Sequence, residues 1–465
     1  MRTPIDALLQ TRRRRAPMKN SDQERDAAVA LVRRLQNAGF TAFWAGGCVR
    51  DLLRGTPPKD YDIATNATPD RVIALFPRAV AVGKAFGVVC VPEGENVFEV
   101  ATFRKDHAYQ DGRHPESVTF SDPETDAQRR DFTINAMFYD PVAAQLHDFV
   151  NGQADLAAHL VRCVGNPADR FREDRLRMLR AIRFATTLDF VLETSTREAI
   201  RTLAEAVGEI SAERIRDEIS RILLESVRPG NALRLLADLG LLAVLLPEVC
   251  AMMGQEQPPE FHPEGDVFEH TIRMLNLMET RSLQLAFAVL LHDIGKPDTA
   301  CRTADRIRFN RHAEVGAETA RAILRRLRFS NDDTDAIVAC VAGHMRFQDV
   351  PHMRASTLRR MVGAPTFPVE LELHRLDCLA SHGSLEHHAH ASRFAQELAN
   401  QPALPRPWIT GHDILQMGVP EGPDVGRWHR IAYEAQLDQR FESREALRSW
   451  LADEIRHPAR PEPKQ

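Results

Sequence analysis

The sequence lacks the features of membrane-spanning and secreted proteins. None of its apolar runs approaches the roughly 20 residues that a membrane-spanning helix needs. Its first residues contain an arginine run, 12–15, where a secreted protein would have an apolar signal core. Its seven cysteines are scattered, odd in number and without a CxxC pair. This pattern argues against a disulfide framework or a zinc ribbon, and it predicts reduced thiols in a cytoplasmic protein without a membrane partner.

The sequence also lacks the net positive charge that is typical of nucleic-acid-binding proteins, because its formal charge is −5. A total can hide a local basic surface, and one segment has such an excess. Between positions 162 and 183 there are seven arginines and only three acidic residues. The arginines are Arg162, Arg170, Arg172, Arg175, Arg177, Arg180 and Arg183. This local excess predicts a face that contacts phosphates.

The order of patterns along the chain predicts several domains. A length of 465 residues suggests roughly three. The first third alternates between strand and helix patterns, and the rest is nearly all helical. A capping box at 21–24 predicts a first helix, and residues 88–91 and 97–102 predict a β-hairpin. The polar stretch 104–128 predicts a loop, after which helical periodicity resumes near Arg130.

Two aspartates in the first third predict a magnesium site. Asp60 and Asp62 are two apart on a predicted strand that begins at Lys59, so both side chains point to one face. Adjacent carboxylates repel one another unless a cation lies between them, and Mg²⁺ prefers oxygen ligands and also binds triphosphates. Glu99, on the next predicted strand but one, is a candidate third carboxylate. Alone, a DxD pattern is more often a polar strand edge.

A glycine pair shortly before these aspartates predicts a triphosphate-binding loop. The sequence GGCVRD at 46–51 joins a predicted strand to a predicted helix. Gly46 and Gly47 would let a phosphate approach free backbone N–H groups at the helix start. Arg50 would add a fixed positive charge. A lone glycine pair is weak evidence, but its position before DxD favours a nucleotide-polymerising site.

Three motifs together resemble one enzyme family. GGCVRD, KDYDIAT at 59–65 and RRDFTINAM at 129–137 look like the head of the bacterial and eukaryotic (class II) CCA-adding enzymes, a family that includes bacterial poly(A) polymerase and belongs to the DNA polymerase β-like superfamily. The resemblance implies that Asp60 and Asp62 are the catalytic metal ligands, with Glu99 as a third member. It also implies that the RRD motif recognises the ribose, through Arg129, Arg130 and Asp131. A basic helix start is the alternative for the two arginines.

A short motif in the following segment predicts base selection. Asp174 and Arg177 are three apart on a predicted helix and therefore share a face. Cytosine and adenine both present an amino donor beside a ring-nitrogen acceptor, which suit a carboxylate and a guanidinium respectively. Uracil and guanine present the reverse polarity. The motif EDxxR matches the nucleotide-selecting motif of the family, and Arg180 is a further candidate nucleotide contact. The alternative is a surface ion pair worth about 0–1 kcal/mol.

Several histidines and aspartates in the last half resemble the metal ligands of HD-domain phosphohydrolases. The pattern, in chain order, is His270, His292, Asp293, His312, His344 and Asp377. Neutral imidazoles and carboxylates can hold one or two divalent metals and activate a water molecule. The ions that suit this set are Mn²⁺, Fe²⁺, Ni²⁺ or Co²⁺ as well as Mg²⁺. Core histidines in a scaffold domain are the alternative, and the outer ligands are ambiguous because His262, His374, His382, His387 and His388 lie nearby.

The resemblance implies an α+β fold class: a small polymerase β-like head with a mixed sheet, then an all-helical neck, an HD domain and a helical tail. The expected segments are a disordered tail 1–20, a head 21–160, a neck 161–260, an HD domain 261–395 and an RNA-binding tail 396–465 with disordered last residues. The implied activity is addition of C and A to tRNA 3′ ends from CTP and ATP with Mg²⁺, and no DNA partner. Open alternatives are a poly(A) polymerase, a CC-only or A-only enzyme, and an HD phosphohydrolase whose head binds RNA.

Overall fold

The structure is a computed structural model that describes residues 21–83, 86–107, 117–258, 265–303 and 307–457. The chain divides into two compact units, of which the first ends at Pro247 and the second begins at Glu248. The expected tails at 1–20 and after 457, and His262, lie outside the described residues. The finer division into head, neck, HD domain and tail stays a prediction.

The first unit begins with a mixed sheet flanked by short helices. Its seven strands lie in the order β3-β4-β5-β2-β1-β8-β9. Only the β2–β5 pair is parallel, and the other neighbours are antiparallel. The helices and strands of this part are α1 Ser21–Asn37, β1 Ala42–Ala45, α2 Gly47–Leu53, β2 Asp62–Thr65, α3 Pro69–Leu75, β3 Val80–Gly83, β4 Val88–Glu93, β5 Asn96–Thr102, β6 Arg104–Asp106, β7 Val118–Phe120, α4 Pro123–Gln128, β8 Phe138–Asp140 and β9 Gln145–His147.

Aromatic side chains pack one face of this sheet. Phe43, Phe103 and Phe138 are buried together, with ring centroids 5.6 to 6.3 Å apart. Aromatic and β-branched residues at alternating strand positions favour such a half-buried surface. The predicted first helix and the predicted β-hairpin are confirmed as α1 and β4–β5.

Two boundaries in this part differ from the prediction. The strand that carries the DxD motif begins at Asp62 and not at Lys59, because Asp62 pairs with Ala45, the last residue of β1, and the residues before Asp62 have no partner on that strand. The polar stretch 104–128 is not one loop, since β6 and β7 pair there and α4 follows. Helix α4 ends at Gln128, so the alternative of a helix that begins at the RRD motif is wrong.

The rest of the first unit is nearly all helical. A two-stranded parallel pair, β10 and β11, interrupts the helices. The elements are α5 Gly152–Ala157, β10 Leu160–Val161, α6 Pro167–Glu173, α7 Leu176–Leu188, β11 Val191–Leu192, α8 Thr194–Thr202, α9 Ala212–Glu225, α10 Pro229–Asp238 and α11 Leu241–Leu245, and the boundary between the units falls within the next helix, α12 Pro247–Cys250. The helices α7 and α9 pack together and share a buried ion pair, in which Arg183 Nε lies 2.7 Å from Glu218 Oε2.

Among its described residues, the second unit is helical apart from one hairpin. The predicted metal ligands lie on or directly after five of its helices. The elements are α13 Val267–Leu277, α14 Leu283–Leu291, α15 Lys296–Thr299, β12 Ala300–Arg302, β13 Ile307–Phe309, α16 His312–Arg326, α17 Asn331–Gly343, α18 Ala355–Val362, α19 Phe367–Ala380, α20 Glu386–Glu397, α21 Gly411–Gln416, α22 Pro423–Leu437 and α23 Arg444–Arg456. In the part of the chain that the structure describes, no helix is both long and apolar enough to cross a membrane.

Candidate nucleotide and metal sites

The structure brings two of the three predicted catalytic carboxylates to adjacent parallel strands. Ile63 of β2 pairs with Val100 of β5, so the preceding residues, Asp62 and Glu99, continue the same register. Asp60 lies in the exposed loop before β2. The three carboxylates do not form a group of donors within 4.8 Å of one another; both such groups among the described residues lie in the second unit. The donors are all carboxylate oxygens, which suit Mg²⁺.

The predicted triphosphate loop turns at Gly46, a position where a side chain would not fit. Gly46 has a φ of 76°, and a Cβ atom there would lie 3.3 Å from Arg130 Nη1. Arg130 therefore lies directly against this loop. Arg50 is 9% exposed and donates to Asn135 Oδ1 at 2.7 Å and to Asp51 Oδ1 at 2.7 Å. In this arrangement Arg50 joins the loop to the RRDFTIN segment, and its contact with phosphate stays a prediction.

One buried carboxylate, which the sequence reasoning missed, holds both arginines of the RRD motif. Asp126 on α4 accepts from Arg129 Nη2 at 2.6 Å through Oδ1 and from Arg130 Nη2 at 3.0 Å through Oδ2. Burial alone would raise the pKa of Asp126, but the charges of Arg130 and Arg129 hold it below the ordinary value. Asp126 precedes the two arginines by three and four residues, which is the spacing that could have revealed it.

Two arginines of α7 contact the same segment. Arg180 of α7 donates to Asp131 Oδ2 through Nε at 2.9 Å and Nη2 at 2.6 Å. Arg177 Nη2 donates to the Arg129 carbonyl at 3.3 Å. The residues predicted to meet the ribose and the helix predicted to read the base are therefore joined by direct hydrogen bonds.

The predicted base-selecting pair has a different local structure from the one expected. Asp174 and Arg177 do not lie on one helix, because the chain is extended at Asp174 (φ −145°, ψ 105°) and the carboxylate accepts the Leu176 N–H at 3.0 Å, so that α7 starts anew. The two side chains do not pair with each other either, although the Arg177 N–H donates to the Asp174 carbonyl at 3.0 Å. Asp174 pairs with Arg214 of α9 at 2.8 Å, and Arg177 pairs with Glu173 at 2.5 Å. Sequence reasoning missed Arg214, which is 40 residues away from Asp174.

The arginine-rich segment 162–183 is not a free basic face. All seven arginines form ion pairs with acidic residues of the same unit. The window count failed because most of the partners lie outside the window, for example Asp131, Glu209 and Glu218. Internal partners thus share the charge of these side chains, and their contact with phosphates stays a prediction.

The second unit assembles all six predicted HD ligands in two groups of three. The donor atoms in each group lie within 4.8 Å of one another, and the members are His270, His292 and Asp377 in one group and Asp293, His312 and His344 in the other. Asp293 links the two groups, because its Oδ2 lies 3.1 Å from His292 Nε2 and its Oδ1 lies 3.5 Å from His312 Nε2. Within the described residues, the histidines that made the outer ligands ambiguous belong to neither group.

Backbone carbonyls orient three of these histidines. The Nδ1 atoms of His292, His312 and His344 lie 2.7 to 2.9 Å from the carbonyl oxygens of Val289, Phe309 and Val341. A carbonyl only accepts, so Nδ1 carries the proton and the Nε2 lone pair faces the cluster. Burial lowers the pKa of His344 to about 4 and lowers that of His312. Neutral imidazoles with fixed Nε2 atoms and two carboxylates are a donor set that fits divalent transition metals.

Four of the six ligands, Asp293, His312, His344 and Asp377, line a cavity of about 1070 Å³. Lys296 Nζ lies 2.6 Å from Asp293 Oδ2, and Arg308 also lines the cavity. The lining also includes imidazoles and hydroxyls, from His374, Ser381, His382, Ser384 and His387. A cavity that combines metal ligands, cationic side chains and a few other polar groups suits a phosphorylated ligand.

Close backbone packing brings the two halves of this cluster together. A Cβ atom at Gly295 would lie 2.3 Å from the carbonyl oxygen of His312 and 2.6 Å from the N atom of Gly316, both of which are backbone atoms. Gly295 therefore lets the segment that carries His292 and Asp293 touch the first turns of α16.

Family models match the chain in three places. Residues 42–162 match the poly(A) polymerase head domain. Residues 189–253 match a probable RNA- and SrmB-binding site of polymerase A. Residues 267–381 match the HD domain. The predicted metal ligands Asp60, Asp62 and Glu99 lie in the first match, and His270 to Asp377 lie in the third.

Relatives carry two enzyme names. A CCA-adding enzyme of Geobacillus thermodenitrificans is 45% identical over 215 residues, which are 46% of this chain and 53% of that protein. Poly(A) polymerase I of Haemophilus influenzae is 39% identical over 243 residues, which are 50% of this chain and 53% of that protein. The matches thus span about half the length of these relatives.

Solved structures match over nearly the whole chain. The CCA-adding enzyme of Bacillus stearothermophilus in complex with CTP has a TM-score of 0.72 and 28% identity, and the match covers 94% of this chain and 98% of that one. The Thermotoga maritima CCA-adding enzyme complexed with tRNA has the same fold, with a TM-score of 0.60 and 20% identity over 92% of this chain and 95% of that one. The α+β fold class and the family resemblance are confirmed: models of a poly(A) polymerase head, a probable RNA-binding site and an HD domain match the chain in this order, and the chain is similar to CCA-adding enzymes and to a poly(A) polymerase.

Proposed function

We propose that this chain adds C and A to the 3′ end of tRNA, with CTP and ATP as substrates, in the cytoplasm. The observation that carries the proposal is the likeness, over 94% of the chain, to a CCA-adding enzyme that was crystallised with CTP. The head motifs that the reaction needs lie together around the end of β1 and the start of β2. No DNA or membrane partner is part of the proposal.

The head residues would bind the reacting groups. Asp60, Asp62 and Glu99 would hold two Mg²⁺ ions, which supply activation of the RNA 3′-hydroxyl and stabilise charge on the leaving oxygen. The backbone N–H groups after Gly46 and the guanidinium of Arg50 would hold the triphosphate, and Arg129, Arg130 and Asp131 would meet the ribose. The hydroxyl attacks the α-phosphate in line, and pyrophosphate leaves.

The neck residues would choose the base. The Asp174 carboxylate would accept from the exocyclic amino group of cytosine or adenine, and the Arg177 guanidinium would donate to the adjacent ring nitrogen. Uracil and guanine would bring a carbonyl oxygen against the carboxylate and an N–H against the guanidinium. Rejection then follows from unpaired, like-polarity contacts. The helical tail, 396–465, would hold the tRNA by its shape and backbone, as suits structured RNA.

One alternative has a specific observation in its favour. The Haemophilus influenzae poly(A) polymerase I is a relative over half of the chain, so polymerisation of A alone would use the same head. Enzymes that add only CC or only A would also share the head. None of these fits better than CCA addition, since the structure of highest similarity among those described is a CCA-adding enzyme.

The deciding experiment uses three tRNA transcripts that end before CCA, after C and after CC. Each is incubated with labelled CTP or ATP and Mg²⁺, and products are resolved at single-nucleotide length. Addition that stops at CCA on all three is expected. A long A ladder would replace the proposal with poly(A) polymerase, and C-only or A-only products would replace it with a partial enzyme. No incorporation would leave the HD domain as the working site and the head as an RNA-binding module.

We also propose a second activity, metal-dependent hydrolysis of a phosphoester in the HD cavity. The buried ligand groups around Asp293 would hold one or two ions such as Mn²⁺, Fe²⁺, Ni²⁺ or Co²⁺, which supply an activated water. A terminal phosphate or a 2′,3′-cyclic phosphate on RNA is the expected substrate class. A nucleoside 2′,3′-cyclic phosphate and a 3′-phosphorylated oligonucleotide, assayed across these metals, test the proposal, and absence of turnover with every metal would reduce the domain to a scaffold.

A further inference from the structure

A buried ammonium lies between the HD ligands and a neutral amide. Lys296 Nζ donates to Asp293 Oδ2 at 2.6 Å and to Gln257 Oε1 at 2.6 Å. Lys296 is 6% exposed and lines the cavity beside Phe309, whose ring centroid lies 5.5 Å from Nζ. An ammonium has three N–H donors. The two hydrogen bonds that Lys296 makes within the described part of the chain therefore leave one donor for a ligand in the cavity.

The backbone around Gln257 is tied to the start of helix α13. The Gln255 carbonyl accepts from the Val267 N–H at 3.1 Å, and Asp266 Oδ2 accepts from the Gly254 N–H at 2.6 Å. Asp266 is also the N-cap of α13, the helix that carries the first of the predicted metal ligands. The amide of Gln257 therefore starts from a fixed backbone, and it holds the ammonium next to the ligand cluster.

The amide of Gln257 makes this contact less favourably than a carboxylate would. An ammonium only donates, so Gln257 presents Oε1 to Lys296 and its donor group, Nε2, is left for another partner. Gln257 is 5% exposed, and Nε2 has no hydrogen-bond partner among the described residues. Glutamate would form a stronger, charge-assisted hydrogen bond to Lys296 and would leave no buried donor unpaired. What distinguishes the amide is that it holds the ammonium without neutralising it.

The charge of Lys296 matters because its partner Asp293 is also a predicted metal ligand. Asp293 Oδ1 lies 3.5 Å from His312 Nε2 and 3.7 Å from His344 Nε2, whereas Oδ2 accepts from Lys296. Asp293 is the one acidic partner of Lys296 in the described part of the chain. A divalent ion held by Asp293 would offset the charge of this carboxylate. The ammonium would then be a positive charge at the cavity wall, where a phosphate oxygen can accept from it.

We propose that Gln257 is a positioning residue that holds Lys296 beside the metal cluster as an uncompensated positive charge, and that this ammonium binds a phosphate oxygen of the ligand. The inference deepens the proposed phosphoester hydrolysis and rests on it for the class of substrate. Glutamate at position 257 would keep the shape of the side chain, but its charge would neutralise Lys296 and repel the phosphate.

The test measures the dissociation constant of inorganic phosphate by calorimetry, with the full chain loaded with Mn²⁺ and freed of excess ion. Gln257→Glu is expected to weaken phosphate binding by about 10- to 100-fold, the range for a lost hydrogen bond to a charged group. Lys296→Met removes the ammonium and should weaken binding at least as much. Gln257→Met removes the acceptor without adding charge, so its effect should be smaller than that of the glutamate variant. In hydrolysis of a nucleoside 2′,3′-cyclic phosphate, the loss should appear in KM more than in kcat.

Metal content and stability separate this role from a merely structural one. Gln257→Glu should keep the wild-type amount of metal per chain and should not lower the free energy of unfolding, because it replaces a neutral contact with an ion pair. A structural role predicts instead that stability and phosphate binding fall together. Gln255→Glu is the matched control, since the Gln255 side chain donates to the Glu256 carbonyl at an exposed position. It is expected to bind phosphate like the wild type.

The outcomes distinguish the inference from the proposed hydrolysis. Phosphate binding of wild-type strength in Gln257→Glu at full metal content would overturn the inference, and so would a metal-loaded wild type that binds no phosphate. If no metal supports hydrolysis but Gln257→Glu and Lys296→Met still weaken phosphate binding, the anion site stands and the proposed hydrolysis fails. If hydrolysis occurs and both variants keep the wild-type KM and phosphate affinity, hydrolysis stands and the inference is wrong.

Discussion

The two units hold their charged groups by different means. In the first unit, charged side chains hold other charged side chains: Asp126 holds Arg129 and Arg130, and Arg214 holds Asp174. In the second unit, backbone carbonyls orient the histidines of the HD cluster. Carbonyls of helices and strand ends are fixed by the fold itself, whereas a side-chain partner can be lost by one substitution or one protonation.

The two candidate metal sites also differ in how their ligands are held and in how far they are enclosed. The six HD ligands already form two compact, largely buried groups. The head carboxylates are half-exposed or exposed; strand register places Asp62 and Glu99 side by side, and Asp60 lies in a loop. A site that must admit a triphosphate and an RNA end is open by necessity, while a hydrolytic metal site gains from being enclosed because burial strengthens its electrostatics. The predictions below separate the two sites and test the contrast, in order of decreasing effect.

The largest expected effect is the loss of nucleotide addition in Asp62→Asn. Removal of a metal-binding carboxylate raises the activation free energy by several kcal/mol, which lowers kcat by at least about a thousandfold. Single-turnover incorporation of labelled CTP measures it, and Asp60→Ala is expected to behave alike. Metal content of the second unit and hydrolysis of the cyclic phosphate should stay at wild-type level. Addition at close to the wild-type rate would refute the assignment of these aspartates.

The reciprocal variant, Asp293→Asn, is expected to affect only the HD cluster. Asp293 links the two ligand groups, so its loss should lower metal affinity and hydrolysis by at least about 100-fold, more than the loss of an outer partner would. Metal per chain after dialysis, measured by mass spectrometry, gives a readout that does not depend on the substrate. CTP and ATP incorporation is the control and should persist. If addition failed while the chain remained folded, the two sites would not be independent.

A smaller effect on stability is expected from Asp126→Asn. The variant leaves two partly buried guanidinium groups without their carboxylate, at a cost of about 1–3 kcal/mol in the free energy of unfolding. The lowered pKa of Asp126 gives the sign of the pH dependence. Its stabilisation is fully present above about pH 4 and is lost as pH falls through the lower pKa of the folded state. Urea denaturation at pH 7 and in acid should show the gap between wild type and variant closing. A gap that is constant with pH would contradict the ion-pair account.

Local patterns allowed much of the fold to be predicted. The capping box at 21–24 gave α1, and two β-branched runs gave the hairpin of β4 and β5. The six HD ligands were also correctly brought together, because they recur in one order along helices that pack around them. These features depend on residues that are close in sequence or on a pattern with many members.

Some features that sequence reasoning missed depend on contacts between distant residues. The partner of Asp174 is 40 residues away, and acidic partners of the arginine-rich segment, such as Glu218, come from other helices. The net charge counted in a stretch of sequence therefore does not predict how much of that charge is without internal partners in the folded protein. Two other missed features are local: Asp126 lies three and four residues before the arginines that it holds, and the Asp174 carboxylate accepts the Leu176 N–H at the helix break.

The residue at position 295 indicates whether a homologue can form the metal cluster, and it can be read from the sequence alone. Metal ligands can persist in a chain that has lost the metal site, because histidines and aspartates also serve as ordinary core residues. A residue with a Cβ atom at position 295 is not compatible with the assembled cluster, because the Cβ atom would clash with backbone atoms of His312 and Gly316. A homologue that keeps all six ligands but has alanine or a larger residue there is expected to hold a separated, inactive cluster. Glycine at position 295 is thus a sequence criterion for an intact metal cluster, and it can be applied to an HD domain whose substrate is unknown.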